Sequence, residues 1–306
     1  MQDTRRRILD ALSEGPISGP ELAESLGVSR AAVWSHVEAL RESGFEIGSR
    51  EDGYVLASVP EFGEGSVEYG LSAPFGIEYH DSIGNTNDRA RELAAAGESG
   101  TAVVADEQTA ARGRLGREWN APSGGIYLSL ACRPDLPPAQ APIYTLAAAV
   151  ATTEALRGVG VDAGIKWPND VLVDGRKLVG ILTEMEGEAD RVSWIVVGIG
   201  INANVDGDAV PAGATTVRER VGDVDRAALT RAVIERFDEL VATPEEVLPA
   251  WRAAAVTLGK RVRVETAGGD VVGEAVDIEF PGRLVVATDD GEVGVSAGDC
   301  EHLRPV

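Results

Sequence analysis

Lysine is almost missing from this chain. Lys166, Lys177 and Lys260 are the only three, so 25 of its 28 basic residues are arginine. Against them stand 50 aspartates and glutamates, for a formal net charge of −22. Abundant acid with scarce lysine suggests a halophilic protein, because salt screens the self-repulsion of so negative a surface, or simply an acidic protein from an arginine-rich genome. In such a composition each lysine that is kept becomes informative. Cysteine is nearly as scarce. Cys132 and Cys300 lie far apart, which excludes a disulfide framework. The three histidines, His36, His80 and His302, are scattered, so no zinc signature is present and no metal-ligating residues are expected. No apolar run reaches the length of a membrane-spanning helix. The opening residues MQDTRRR lack the apolar core of a signal peptide. A cytoplasmic protein without membrane contact is expected. The G-x-x-x-x-G-K-[ST] loop is absent, and "GIGINA" does not match G-x-G-x-x-G, so phosphate chemistry must use another solution. The length of 306 residues suggests two or three domains.

What is present centres on residues 108–119, QTAARGRLGREW. Arg112, Arg114 and Arg117 alternate with Gly113 and Gly116, and no apolar period runs through them. Glycine lets backbone approach a ligand. Arginine supplies planar forks suited to carboxylate or phosphate. The segment reads as a loop that binds carboxylate or phosphate, or as a solvated basic turn.

The first sixty residues read as a helix over about 4–12, a second over 20–26, a third from Ser29 to about Ser43, then a hairpin. That plan, with ELAESLGVSRAAVWSHVEALRESG, resembles the winged helix-turn-helix domains. The resemblance implies DNA binding through Ser29, Arg30, Trp34, Ser35 and His36 of the third helix, with Arg50 in the wing. Six arginines against ten acidic residues in this stretch weigh on the other side, since DNA binding normally wants a basic face. Residues 58–72 read as a linker.

Alternating strands and helices follow. Asn85-Thr86-Asn87 precedes a helix over about 88–96, where such side chains cap a helix or clamp a polar ligand. A strand over 101–105 feeds the arginine segment, and another follows at 125–131. A helix is expected over 142–157, then a strand over 165–173 interrupted by Pro168, a turn at Asp174-Gly175, and strands over 178–185 and 191–200. A last helix is expected over 244–255, and the final fifty residues alternate short strands with glycine turns, a small barrel.

Three motifs, QTAARGRLGREW, KWPNDVLVDGRKLVGIL and VVGIGINAN, resemble in order and spacing those of the biotin protein ligases. With the N-terminal winged helix, the chain resembles the bifunctional biotin ligase and biotin-operon repressor type over essentially its whole length. The resemblance implies an α+β fold: a winged helix-turn-helix domain (1–60), a mixed-sheet catalytic domain of the biotin/lipoate ligase type (73–255) and an SH3-like C-terminal barrel (256–306). It implies activation of biotin by ATP with Mg²⁺ to biotinyl-5′-AMP, then transfer to a lysine of a biotin carboxyl carrier protein. Operator DNA is the second implied partner, and a homodimer is plausible for a repressor reading paired half-sites. Lys166 and Arg114 are the implied catalytic residues. Asn85, Thr86, Asn87, Gln108, Arg112, Gly113, Arg114, Lys166, Gly198 and Gly200 would contact biotin. Arg112, Arg117, Trp119, Lys166, Asn169 and Asn202 would contact ATP. Arg304 matches a family-like position in the barrel. The resemblance also makes the arginine segment a lid that closes over biotin and adenylate. Two departures stand out: Ala111 replaces the usual first glycine of the lid, and Asn85 the usual serine. Alternatives are a biotin-sensing regulator with weak or lost ligase activity, and a lipoate-type acyl-adenylate ligase.

Overall fold

The computed structural model describes residues 3–303; Arg304 lies outside them. Three helices open the chain, α1 (Asp3–Glu14), α2 (Gly19–Leu26) and α3 (Arg30–Glu42). Ile8, Leu9 and Leu12 recur at helical spacing and are buried against Leu22, Val33, Val37 and Leu40. The α2 start is a capping box: Glu21 N–H donates to Ser18 Oγ at 3.3 Å, and Ser18 N–H donates to the Glu21 carboxylate at 3.0 Å. The wing is β1 (Glu46–Arg50) with β2 (Gly53–Ser58). Gly53 is obligatory there, because a Cβ would lie 2.3 Å from the Ile17 carbonyl oxygen.

The expected linker is structured. It carries α4 (Glu64–Glu68), whose Val67 is buried in the main core. A Cβ on Gly65 would lie 2.5 Å from the Phe45 ring, so the segment is a packed strap. One turn of helix is too short to show a period, which is why the sequence does not announce it.

The central sheet has seven strands in the order β3-β4-β5-β9-β8-β7-β6. They are β3 (Gly76–Ile83), β4 (Thr101–Gln108), β5 (Ile126–Cys132), β6 (Gly164–Lys166), β7 (Asp170–Val173), β8 (Arg176–Gly187) and β9 (Val192–Ile201). Only β3 and β4 run parallel, joined through α5 (Thr86–Ala95). The stretch 165–173 was expected as one interrupted strand. It is instead a hairpin, with β6 antiparallel to β7 and the chain reversing at Trp167-Pro168-Asn169.

Alternation along β9 separates the faces. Ile195, Val197, Ile199 and Ile201 pack beneath α6 (Pro142–Gly158), α8 (Arg226–Ala242) and α9 (Val247–Ala254). Trp194 and Val196 meet Ala90, Leu93 and Ala94 of α5 on the other face. Gly198 and Gly200 continue that second face. The short α7 (Val217–Val221) and α8 have no counterpart among the sequence expectations.

The C-terminal barrel has five antiparallel strands in the order β13-β12-β11-β10-β14: β10 (Arg261–Thr266), β11 (Gly269–Glu279), β12 (Arg283–Thr288), β13 (Gly291–Val295) and β14 (Asp299–His302). Trp167 locks it to the central sheet. Its N–H donates to Thr257 Oγ1 and its indole N–H to the Gly282 carbonyl, both at 3.0 Å. Full burial of such a side chain contributes roughly 1.5–3 kcal/mol.

Candidate active site

The site grows from the start of α5. Asn85 caps that helix, its Oδ1 accepting from the N–H groups of Asn87 at 2.8 Å and Asp88 at 3.3 Å. Its amide nitrogen, a separate atom from the capping oxygen, also donates to the Ala110 carbonyl at 3.3 Å, whereas a serine would have to do both through one shorter-reaching Oγ. The departure at Asn85 therefore ties the cap to the base of the lid. Thr86 donates through N–H and hydroxyl to Gln108 Oε1, at 2.7 and 3.1 Å. Asn87 donates to the Leu182 carbonyl and to Glu184, and Ser129 Oγ lies 2.6 Å from its Oδ1. These buried polar groups are oriented by one another.

The floor is β9. A Cβ on Gly198 would lie 2.1 Å from Asn87 Oδ1, and one on Gly200 would meet the Trp119 indole at 3.1 Å. Glycine alternates here because the face carries a cavity floor rather than a packed core. The cavity holds about 290 Å³, near the lower end of the ~300–1,000 Å³ typical of small-molecule sites. It adjoins an apolar groove along Trp167, Pro168 and Met185, with Arg114, Asn169, Ile181 and Leu182 common to both.

The lid over this floor is a small hairpin. Gly113 N–H donates to the Arg117 carbonyl at 2.7 Å and Trp119 N–H to the Ala111 carbonyl at 3.2 Å. Ala111, the second departure, packs its methyl against Ala105, Ala121 and Tyr127. At the tip, Leu115 is 82% exposed and has φ of 56°, the left-handed region that disfavours side chains.

Every cation of the site is held by a carboxylate of the chain. Arg112 Nη2 lies 2.5 and 2.7 Å from the two oxygens of Asp88. Arg114 donates to Asn169 Oδ1 at 3.2 Å and to the Gly298 carbonyl at 3.1 Å, and lies 3.6 Å from Asp299. Arg117 pairs with Asp299. Burial pushes the Arg114 pKa below the ordinary arginine value, countered by Asp170. The fourth cation is Lys177. Its ammonium lies 2.6 Å from Asp170 Oδ1 and 5.0 Å from the centre of the Trp119 ring.

The structure brings together most of the residues singled out in the sequence. Asn85, Thr86, Asn87, Gln108, Arg112, Gly113, Arg114, Arg117, Trp119, Asn169, Gly198 and Gly200 all line the cavity. Asn202 is buried just past the end of β9. Its amide donates to the Thr215 carbonyl while its Oδ1 has no partner, and the Trp119 indole N–H is likewise unpaired. Orphaned buried polar atoms of this kind suit a polar ligand.

Asn202 is not among the residues that line the cavity, and neither is Lys166. It ends β6, the edge strand, with β7 and β8 between it and β9. It lines a separate groove with Lys260 and His302. Lys177 stands on β8, beside β9, where Gly180 pairs with Gly200. The lysine that reaches the cavity is the second one of the motif. Both lysines lie within KWPNDVLVDGRKLVGIL, so composition could not choose between them; strand order does. Lys177, Asp170, Asp88, Ser129, Glu184, Gly180 and Asp299 are the site residues that sequence reasoning missed.

In the winged helix, Ser29 caps α3, accepting from Ala32 N–H at 3.1 Å. Arg30, Trp34 and Ser35 are exposed, Trp34 by 60%, while His36 is half-buried. Arg50 is exposed at the wing turn.

Comparison with known proteins decides the family. The Biotin/lipoate A/B protein ligase family model matches residues 79–202, the biotin protein ligase C-terminal domain matches 257–303, and a helix-turn-helix model matches 4–55. The bifunctional ligase/repressor BirA of Bacillus subtilis is 37% identical over 305 residues, covering 93% of each chain. The chain belongs to the BirA-type bifunctional biotin ligase/repressor family. BirA of Escherichia coli is 31% identical, with 92% of each chain covered. Among solved structures, the Aquifex aeolicus biotin protein ligase in complex with biotin and ATP aligns with a TM-score of 0.64 and 28% identity, covering 75% of this chain and 99% of that one. The arginine lid, the glycine floor and Lys177 all fall within the stretch that the ligase-family model matches, whereas Asp299 comes from the matched C-terminal domain. Among the described residues no helix is long and apolar enough to cross a membrane, and no group of three or more His, Cys, Asp or Glu side chains is gathered for a metal ion.

Proposed function

We propose that this chain is an ATP-dependent biotin protein ligase that also acts as a biotin-responsive repressor. The observation that carries the reading is the single cavity in which three lid arginines and Lys177 face a glycine floor beside a polar helix start. Family membership names the substrates. The biotin head meets Asn85, Thr86, Asn87 and Gln108, and its carboxylate is directed toward Lys177 and Arg112. The nucleotide lies along Arg114, Arg117, Trp119 and Asn169, with the unpaired Trp119 indole N–H on the same wall.

In the first step a biotin carboxylate oxygen attacks the α-phosphorus of ATP. The new P–O bond forms as the bond to the β-phosphate oxygen breaks, and pyrophosphate leaves. Two anions must be held together, which needs fixed positive charge in a site closed to water. Lys177 supplies it: a compact ammonium, held by Asp170 and backed by the Trp119 ring. Lys166 has no part in this step. In the second step the amine of a carrier lysine attacks the mixed anhydride at carbon. The amide forms, AMP leaves and the amine loses a proton, so no covalent biotinyl-enzyme is needed. Arg114 retains the intermediate under the lid. Asp170 and Asp299, the aspartates lining the cavity, each already hold a cation of the chain. Mg²⁺ is accordingly read as the counter-ion carried in by the triphosphate.

The winged helix presents Ser29, Arg30, Trp34 and Ser35 to operator DNA, with Arg50 on the phosphates, and a dimer would read two half-sites in the cytoplasm. The domains divide near 60, 73 and 255, with α4 strapping the first to the second. Incubation with ATP, Mg²⁺, labelled biotin and a carrier domain, across a range of KCl concentrations, tests the ligase. Label on one carrier lysine is expected, with an optimum at high salt. Lipoate transferred in preference to biotin would overturn the reading. Footprinting upstream of biotin genes, with and without biotin, tests the repressor, and no protected site in either state would refute it.

A further inference from the structure

We propose that Asp299 is a positioning residue for nucleotide entry, a latch by which the C-terminal barrel holds the lid until a phosphate chain takes its place. The inference rests on the ligase reading of the site and deepens it. Asp299 is the first residue of β14, paired with Glu265 of β10, so its backbone is rooted in the barrel sheet. The turn before it is equally fixed, because a Cβ on Gly298 would lie 2.5 Å from the Glu265 carbonyl oxygen and 2.7 Å from Val264 Cγ1. From this anchor the Asp299 carboxylate reaches into the cavity and pairs with Arg117, with Arg114 at 3.6 Å. The neighbouring Gly298 carbonyl accepts from Arg114 at 3.1 Å. The remaining side of the Arg114 fork holds Asn169 of the central sheet. Two of the three lid arginines are thus tied to one turn of another domain, Arg114 to a carbonyl 184 residues away in the chain.

These are the groups that the nucleotide phosphates need. A carboxylate carries one charge and a triphosphate several, so the phosphate chain wins the arginines, but it must first displace Asp299. The latch therefore orders the lid at some expense in ATP affinity. It also makes the barrel a sensor of nucleotide: once Arg114 and Arg117 turn to phosphate, the barrel loses its hold on the lid tip.

The test uses the full chain and two readouts, hydrogen exchange of the lid amides (110–119) and the KM for ATP. For Asp299→Asn, lid exchange without ligands is expected to accelerate, and KM for ATP to fall about two- to five-fold, the range expected for a partly exposed ion pair. Asp299→Glu should restore both. A merely structural role for Asp299 would raise KM or lower kcat instead. Unchanged lid exchange, or a KM for ATP that stays constant or rises, overturns the proposal. If Asp299→Asn fails to fold, Arg117→Gln breaks the same pair from the lid side and must give the same gain in exchange. If the wild-type chain makes no adenylate at all, the ligase reading falls, and the exchange readout alone decides the latch.

Discussion

The β8 side of the central sheet and its β6 edge each present a lysine, eleven residues apart in a chain that keeps only three. Lys177 on β8 is paired with Asp170, backed by Trp119 and turned into the glycine-floored cavity. Lys166 on β6 lies in an outer groove with Lys260 and His302. The sequence motif containing them is one motif, yet the fold assigns its two lysines to different surroundings. What separates them is the Asp174-Gly175 turn, both residues at positive φ, which folds β8 back beside β7 and toward β9. A lysine becomes a site residue here through the strand it stands on, not through its scarcity.

The largest expected effect tests that difference at the chemistry. Lys177→Ala should lower the rate of carrier labelling by about 10²–10³-fold, as loss of a charge placed for the transition state does. Next comes the floor. Gly198→Ala places a methyl 2.1 Å from Asn87 Oδ1, so isothermal titration should show biotin affinity reduced by at least about ten-fold, the cost of one misplaced contact. Third, Arg114→Gly should release reactive adenylate from under the lid. Bystander proteins in the assay would then be labelled beside the carrier, and unchanged selectivity would show that Arg114 does not retain the intermediate.

The smallest effects belong to the β6 groove. Burial, with Lys260 and Lys166 nearby, pushes the His302 pKa down to about 4. The unfolded chain takes up this proton below about pH 6.5, whereas the folded barrel resists until about pH 4. The contribution to stability is therefore complete above pH 6.5 and is lost as pH falls toward 4. Melting temperatures across that interval should drop more for the wild type than for His302→Gln; parallel curves would remove the groove from the barrel's acid sensitivity.

Much of this was legible before any coordinates. The helix starts at Ser18 and Ser29, the period-two strands and the arginine-glycine lid all rest on local signals, and local signals survive folding. Asn85-Thr86-Asn87 left capping and ligand clamping open, and the structure shows the capping while placing all three residues on the cavity wall. What stayed hidden depends on long-range placement. The choice of Lys177 needed the order of β6 to β9. Asp299 needed a turn from the barrel to arrive over the lid. Val67 of α4 needed a core built from strands far along the chain, and a single helical turn offers no period by which to find it.

The most direct measurement is pyrophosphate release in a single turnover from biotin and ATP, without carrier, for Lys166→Ala and Lys177→Ala side by side. We predict that Lys166→Ala stays within about two-fold of the wild type, because this half-buried side chain lines a groove apart from the cavity, while Lys177→Ala falls by about two orders of magnitude or more. A large loss in Lys166→Ala with Lys177→Ala unimpaired would contradict the assignment of the site to the β8 side of the sheet.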